Sequence, residues 1–376
     1  MLIMDLPSQE PLRRASAFLV GVVVGSLFCF CYLKWLDADT FQIAKMEKQF
    51  VFPVNSGLLP SLPLEGALPE TALSDHNMSE IAHVESTMVA DAIAKDVRVF
   101  CWVLTGKANH KTRAVHVKAT WLKRCNGFMF GSSMKEESLG AVDLGVPEGR
   151  PFLWRKTVKA FSHIYERHLN DYDWFLKADD DTYVIVENLR LLLLSYNPNS
   201  SVYLGSNLRH PNHQKYMSGG AGYVLSRNAV KEVVEKVFQR NTFAQEVGPE
   251  DLLMGKALEL AGIRPSDSLD AYGRPRFFPL SPQFHVHPRP PDKKFWLYTF
   301  SQYPMRLGLN CCSDFAISFH YVEPDLMYVL EYFIYHLRPF GVLLVPFNRL
   351  SLKNTSHIEV MRIASSFAAT FNKAKI

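Results

Sequence analysis

Apolar and polar positions divide the chain into distinct regions. Ala15 to Leu33 is a run of nineteen residues without a charge, with Arg13 and Arg14 before it and Lys34, Asp37 and Asp39 after it. That length can span a bilayer. The run ends on bulky Phe28, Phe30, Tyr32 and Leu33 rather than at a small-residue cleavage site. It therefore reads as an uncleaved signal anchor with its basic end in the cytoplasm, a type II arrangement. The organisation expected is a cytoplasmic tail 1–14, a transmembrane anchor 15–34, a lumenal stem 35–95, a globular body 96–345 and a C-terminal tail 346–376. Pro53, Pro60, Pro63 and Pro69 punctuate the stem.

Within the body, continuous apolar runs predict core strands at 99–104, 127–132, 174–178 and 202–205. Helical spacing predicts helices over 111–124, 151–168, 186–195, 227–240, 250–260 and 325–338. The second carries Trp154, Val158, Phe161 and Tyr165 on one face. Alternation along 315–322 predicts a further strand. Strands alternating with helices argue for an α/β domain, a mostly parallel sheet with helices on both sides.

The run from Trp174 to Val184 changes the picture. An apolar strand ends in Asp179, Asp180 and Asp181, and a second apolar run follows. Adjacent like charges repel and are costly to bury. Residues i and i+2 of an extended chain project to one side, so Asp179 and Asp181 can share a target while Asp180 points elsewhere. A divalent cation with hard oxygen ligands, Mg²⁺ or Mn²⁺, fits that target. The competing reading is a solvated acidic turn, with Lys177 neutralising one charge. Two more stretches carry chemistry. Ser218-Gly219-Gly220-Ala221-Gly222 permits close backbone approach to a ligand, or forms a plain turn. Glu250 and Asp251 open a helix, where acids also serve as ordinary partners of the helix dipole.

A net charge of +4, without a dense basic patch interleaved with aromatics, gives no argument for a nucleic-acid binder. Cys29 and Cys31 fall in the anchor. Cys101, Cys125, Cys311 and Cys312 remain for an oxidising lumen, with three possible connectivities and no zinc-site spacing. Sequons at Asn77, Asn199 and Asn354 agree with a lumenal body.

Phe100 to Gly106, His116 to Trp121, Trp174 to Val184, Tyr216 to Ser226, Glu250-Asp251-Leu252, Cys311 to Asp314, Ser318 to Val322 and Tyr335 to Pro339 together resemble the core 1 β1,3-galactosyltransferases. These belong to a wider group of Fringe-type β1,3-glycosyltransferases. The resemblance implies a GT-A fold, a Rossmann-like mixed sheet flanked by helices, behind the membrane anchor. It implies Golgi localisation, a homodimer and a possible dedicated chaperone. It implies Mn²⁺-dependent, inverting transfer of galactose from UDP-galactose to the 3-hydroxyl of GalNAc on glycoproteins. Carried over residue by residue, Asp181 and His320 are metal ligands supported by Asp179, and Asp251 is the base, oriented by Glu250. Thr105, Arg113, Lys118, Asp180, Gly219 and Gly220 lie on the donor side, and Trp296 and Tyr216 on the acceptor side. Two further cysteines of the vertebrate family pattern are missing, around Arg240-Asn241-Thr242 and Gly255-Lys256-Ala257, which suggests a divergent paralogue. The alternatives are a non-catalytic chaperone-like relative and a β1,3-transferase with another donor. The chaperone lacks the acidic triad that this chain keeps.

Overall fold

The computed structural model describes residues 87–240, 242–287, 295–337 and 355–372. The anchor, nearly all of the stem, and the sequons at Asn77 and Asn354 lie outside them. Among the described residues no helix is long and apolar enough to cross a membrane.

The strands are β1 (Val99–Leu104), β2 (Gly127–Ser132), β3 (Ala141–Asp143), β4 (Trp174–Asp179), β5 (Tyr183–Val184), β6 (Tyr203–Gly205), β7 (Asn207–Arg209), β8 (Lys215–Met217), β9 (Tyr223–Ser226), β10 (Phe277–Phe278) and β11 (Ser318–Phe319). The main sheet has the order β3-β2-β1-β4-β9-β6. Its first four strands are parallel, β9 pairs antiparallel with β4, and β6 pairs antiparallel with β9. The sheet is thus mixed, with the expected parallel part confined to one side.

Helices cover both faces of this sheet. They are α1 (Met88–Asp96), α2 (Val115–Ala119), α3 (Leu153–Arg167), α4 (Val186–Leu193), α5 (Arg227–Val233), α6 (Glu250–Leu260), α7 (Pro282–Val286), α8 (Trp296–Phe300), α9 (Pro324–Glu331) and α10 (His357–Phe371). Alternate residues of β1 serve opposite cores. Val99, Cys101 and Val103 pack with α2, α4 and α9 residues such as Val117, Leu189 and Met327. Phe100, Trp102 and Leu104 pack with Phe161 of α3, Val230 of α5 and Met254 of α6. A strand buried on both faces reads as an unbroken apolar run for this reason.

Three expected elements differ from the structure. The segment 111–124 is broken: it runs as a π-turn into α2, kinks at Thr120 (φ −99°, ψ −106°) and continues as a short 3₁₀ turn, Trp121–Arg124. The kink lets Trp121 Nε1 donate to the Thr182 carbonyl at 2.8 Å, beneath the acidic turn. The strand over 315–322 shrinks to β11, because its neighbour β5 is equally short. The region 346–376 contains α10, with Val360, Ala364 and Ala368 buried. Ser356 caps it by accepting from the Glu359 amide, and Asn372 donates to the Leu191 carbonyl at 2.9 Å.

The disulfides are Cys101–Cys125 and the adjacent pair Cys311–Cys312, one of the three possible connectivities. Asn199 is exposed on a turn, as a glycan acceptor needs.

If α10 is part of the folded body, Ala364→Asp should place an unpaired carboxylate in the core and cost roughly 2 kcal/mol or more. Denaturant unfolding monitored by tryptophan fluorescence reads this. An unchanged midpoint would detach α10 from the body.

Candidate active site

Sheet topology gathers the candidate residues at the carboxyl end of β4. Because β9 runs antiparallel to β4 and pairs Tyr223 with Lys177, the loop 218–222 that enters β9 arrives beside Asp179. Because β11 runs antiparallel to β5 and pairs Phe319 with Tyr183, the next residue, His320, arrives beside Asp181. The Val322 amide donates to the Asp181 carbonyl at 2.9 Å and fixes that register.

The three aspartates diverge as the two-residue period predicts. Asp179 and Asp181 turn toward His320, and Asp180 turns toward the loop after β1. His320 Nε2 lies 3.1 Å from Asp181 Oδ1 and 3.9 Å from Asp179 Oδ2. Among the described residues, these three offer ligand atoms all within 4.8 Å of one another, a cluster that can hold a metal ion. Two hard oxygens and one imidazole nitrogen suit a divalent cation. His320 Nδ1 lies 3.3 Å from the Pro279 carbonyl. A proton on Nδ1 would donate there and leave the Nε2 lone pair facing the carboxylates. Burial works against the Asp181 charge, but His320 and Arg113 outweigh it and hold the carboxyl down at about 2. Burial disfavours imidazolium, yet Asp181 and Asp179 raise the His320 pKa above its usual value. Protons therefore compete for the same nitrogen as a metal.

Asp180 accepts from Thr105 Oγ1 at 2.7 Å and Asn109 Nδ2 at 2.9 Å. Burial pushes it up to about 6, with Asp181 adding to the effect. Arg113 Nη1 is 3.2 Å from Asp181 Oδ2, and its Nη2 donates to Glu323 at 3.1 Å. Buried Lys156 donates to the Thr105 carbonyl at 3.2 Å and to Glu148 at 2.7 Å, securing the loop from below. Lys118, expected on the donor side, lies on α2. It donates to the Ser138 carbonyl at 2.6 Å and covers Phe128. Neither of these two contacts is with the triad.

Glu250 and Asp251 lie in the first turn of α6 and divide two tasks. Glu250 is buried and fully engaged: Oε1 accepts from Thr157 at 2.9 Å and Tyr223 at 2.8 Å, and Oε2 is 3.6 Å from Lys177 Nζ. Asp251 is partly exposed. It accepts one backbone amide on each oxygen, Gly219 at 3.1 Å and Leu252 at 2.9 Å. Lost hydration and the Glu250 charge push its carboxyl up to about 6, a value suited to a base that works near neutrality.

The two halves meet across the glycines. A Cβ at Gly220 would lie 2.1 Å from His320 Cε1, and one at Gly219 would lie 2.9 Å from Glu250 Oε2 and 3.2 Å from Asp251 Cβ. Glycine at these two positions lets the histidine and the acidic pair close on one loop. Tyr216 and Trp296 share a small cluster with Leu252, the residue after Asp251. Gly255 allows α6 to approach, since a Cβ there would lie 2.6 Å from that of Tyr216. The two acceptor-side candidates are thus brought to one aromatic patch beside α6. Thr157, Tyr223, Asn109, Lys156 and Glu323 complete the constellation. Their separations along the chain, 93 residues for Thr157 and Glu250, leave no local signal in sequence.

Gly220→Ala should displace the His320 ring and weaken Mn²⁺ binding by at least about tenfold, with the fold retained. Titration of free Mn²⁺ by electron paramagnetic resonance measures this. Unchanged affinity would remove His320 from the ligand set.

A model of Fringe-like proteins matches residues 94–268. Glycoprotein-N-acetylgalactosamine 3-beta-galactosyltransferase 1 of Xenopus laevis is 43% identical over 275 residues, covering 73% of this chain and 75% of the relative. Human beta-1,3-glucosyltransferase is 29% identical over 200 residues, 50% of this chain and 40% of the relative. Human chondroitin sulfate synthase 3 is 25% identical over 158 residues, 37% of this chain and 18% of the relative. Residues 94–268 contain Asp179, Asp180, Asp181, the glycine loop and Glu250-Asp251, whereas His320 follows them. The chain belongs to the glycoprotein-N-acetylgalactosamine 3-beta-galactosyltransferase family, whose Fringe-like region spans the core sheet.

Proposed function

We propose that the protein is an inverting glycosyltransferase on a GT-A-type scaffold. It moves galactose from UDP-galactose to the 3-hydroxyl of GalNAc-α-Ser/Thr on glycoproteins. The observation that carries this reading is the meeting, across Gly219 and Gly220, of a three-ligand cluster with a partly exposed carboxylate pushed up to about 6. The family relative named for that activity supports the donor and acceptor.

Asp179, Asp181 and His320 would hold Mn²⁺. The cation, when bound, supplies positive charge against the leaving diphosphate. Asp180, held by Thr105 and Asn109, faces the nucleotide, and Arg113 is in reach of the phosphates. Asp251 takes the proton of the acceptor hydroxyl as the new bond forms at the sugar carbon and the bond to diphosphate breaks on the opposite side. Its two backbone hydrogen bonds orient it and leave a lone pair on each oxygen for that proton. Glu250, with both oxygens engaged, holds the first turn of α6 rather than reacting. Trp296 presents an aromatic face to the acceptor sugar. A Golgi-lumenal body behind the anchor, a homodimer and a dedicated chaperone belong to the same proposal.

The full-length protein, incubated with UDP-galactose, a GalNAc-α-threonine peptide and Mn²⁺, should add one hexose by mass, and EDTA should stop it. No gain from folded protein that binds UDP would mean another donor or acceptor. Binding of neither UDP nor Mn²⁺ would favour the chaperone-like relative. Since Asp251 acts only when ionised, kcat/KM should fall about tenfold per pH unit below about 6. Asp251→Asn should lower kcat by roughly 10²-fold or more while UDP-galactose still binds. A rate independent of pH from 5 to 7, or an active Asp251→Asn variant, would assign the base elsewhere.

A further inference from the structure

Beside the site lies a buried cation that the mechanism does not use. Lys177 is 1% exposed, in the middle of a core strand where Phe175 on the same face is apolar. An ammonium there is costly unless paired. Its Nζ donates to Asp179 Oδ1 at 2.6 Å and to the Gly219 carbonyl at 3.1 Å, and lies 3.6 Å from Glu250 Oε2. The amide of that same Gly219 donates to Asp251 Oδ2 at 3.1 Å. One ammonium therefore reaches the cation cluster by a single hydrogen bond and the base through a single residue.

We propose that Lys177 is a positioning residue that couples the cation-binding half of the site to the base half. The claim rests on the galactosyltransferase reading and involves no contact of Lys177 with substrate. With Asp179 Oδ1 committed to Lys177, Oδ2 is the oxygen left to face a cation, which sets a one-oxygen presentation. With the Gly219 carbonyl held as well, Lys177 anchors one side of the residue whose amide holds Asp251. A Cβ at Gly219 would lie 3.4 Å from Nζ and 2.9 Å from Glu250 Oε2, so the loop closes tightly on this group. The plain alternative is a structural ion pair with Glu250. Against it, Asp179 is the nearer carboxylate, and Thr157 and Tyr223 already hold Glu250.

Lys177→Met keeps most of the side-chain volume and removes the charge. In the full-length chain, Mn²⁺ binding followed by electron paramagnetic resonance without sugar nucleotide should weaken about tenfold or more. In the transfer assay kcat should fall about 100-fold, with the acceptor-peptide KM within about threefold of wild type. Wild-type Mn²⁺ affinity and kcat in this variant would overturn the proposal. The double variant Lys177→Met/Glu250→Gln removes the counter-charge and guards against misfolding of the single variant. It should remain weak for Mn²⁺. Recovery of wild-type Mn²⁺ affinity would show that Lys177 only neutralises Glu250, and would also overturn the proposal. A wild-type chain that binds Mn²⁺ but transfers no hexose would sink the galactosyltransferase reading while leaving the Mn²⁺ comparison readable.

Discussion

Three consecutive carboxylates at the end of a core strand cannot share one environment, and the structure separates them. Asp179 is assigned to Lys177, Asp180 to the hydroxyl of Thr105 and the amide of Asn109, and Asp181 to His320 and Arg113. Each partner comes from a different part of the chain. Lys177 lies on β4, Thr105 and Asn109 follow β1, and His320 follows β11. Repulsion that would oppose folding if left alone instead selects which elements come together. The same separation leaves two carboxylates and one imidazole facing a common point.

The antiparallel addition of β9 is what turns this end of the sheet into a site. In an all-parallel sheet the turn entering the neighbour of β4 would lie at the opposite edge. Here the glycine loop comes back to the carboxyl end of β4 and separates the ligand cluster from α6. Backbone amides serve as much as side chains: Gly219 and Leu252 hold Asp251, and Val322 holds the Asp181 carbonyl. Helix α6 contributes a buried acid held by side chains and a partly exposed one held by backbone amides from adjacent positions, so burial and partners together separate their tasks.

Much of this was legible locally. The apolar runs of β1, β2 and β4 lie close to where their composition places them, and the divergence of Asp180 from its neighbours follows from the two-residue period of a strand. The joining of Asp181 to His320 was available only through family resemblance, because a lone histidine after an apolar run carries no signal of its own. Long-range partners were invisible for the same reason, among them Thr157 and Tyr223 on Glu250. In sequence the segment 111–124 reads as one continuous helix. Its interruption at Thr120 answers a tertiary demand, the bond from Trp121 to the Thr182 carbonyl. Helix α10 was missed although its signal was present: Ser356 and Glu359 form a cap, and Val360, Ala364 and Ala368 recur at helical spacing.

The account depends most on the claim that Asp179, Asp181 and His320 bind one cation at the mouth of the donor site. Crystals of the protein grown with UDP and Mn²⁺, with anomalous differences collected at the manganese edge, test it directly. The account predicts a single strong peak at coordination distance from an oxygen of each aspartate and from His320 Nε2, with diphosphate oxygens completing the shell. A peak elsewhere, or ordered UDP with no peak among these three side chains, would contradict it.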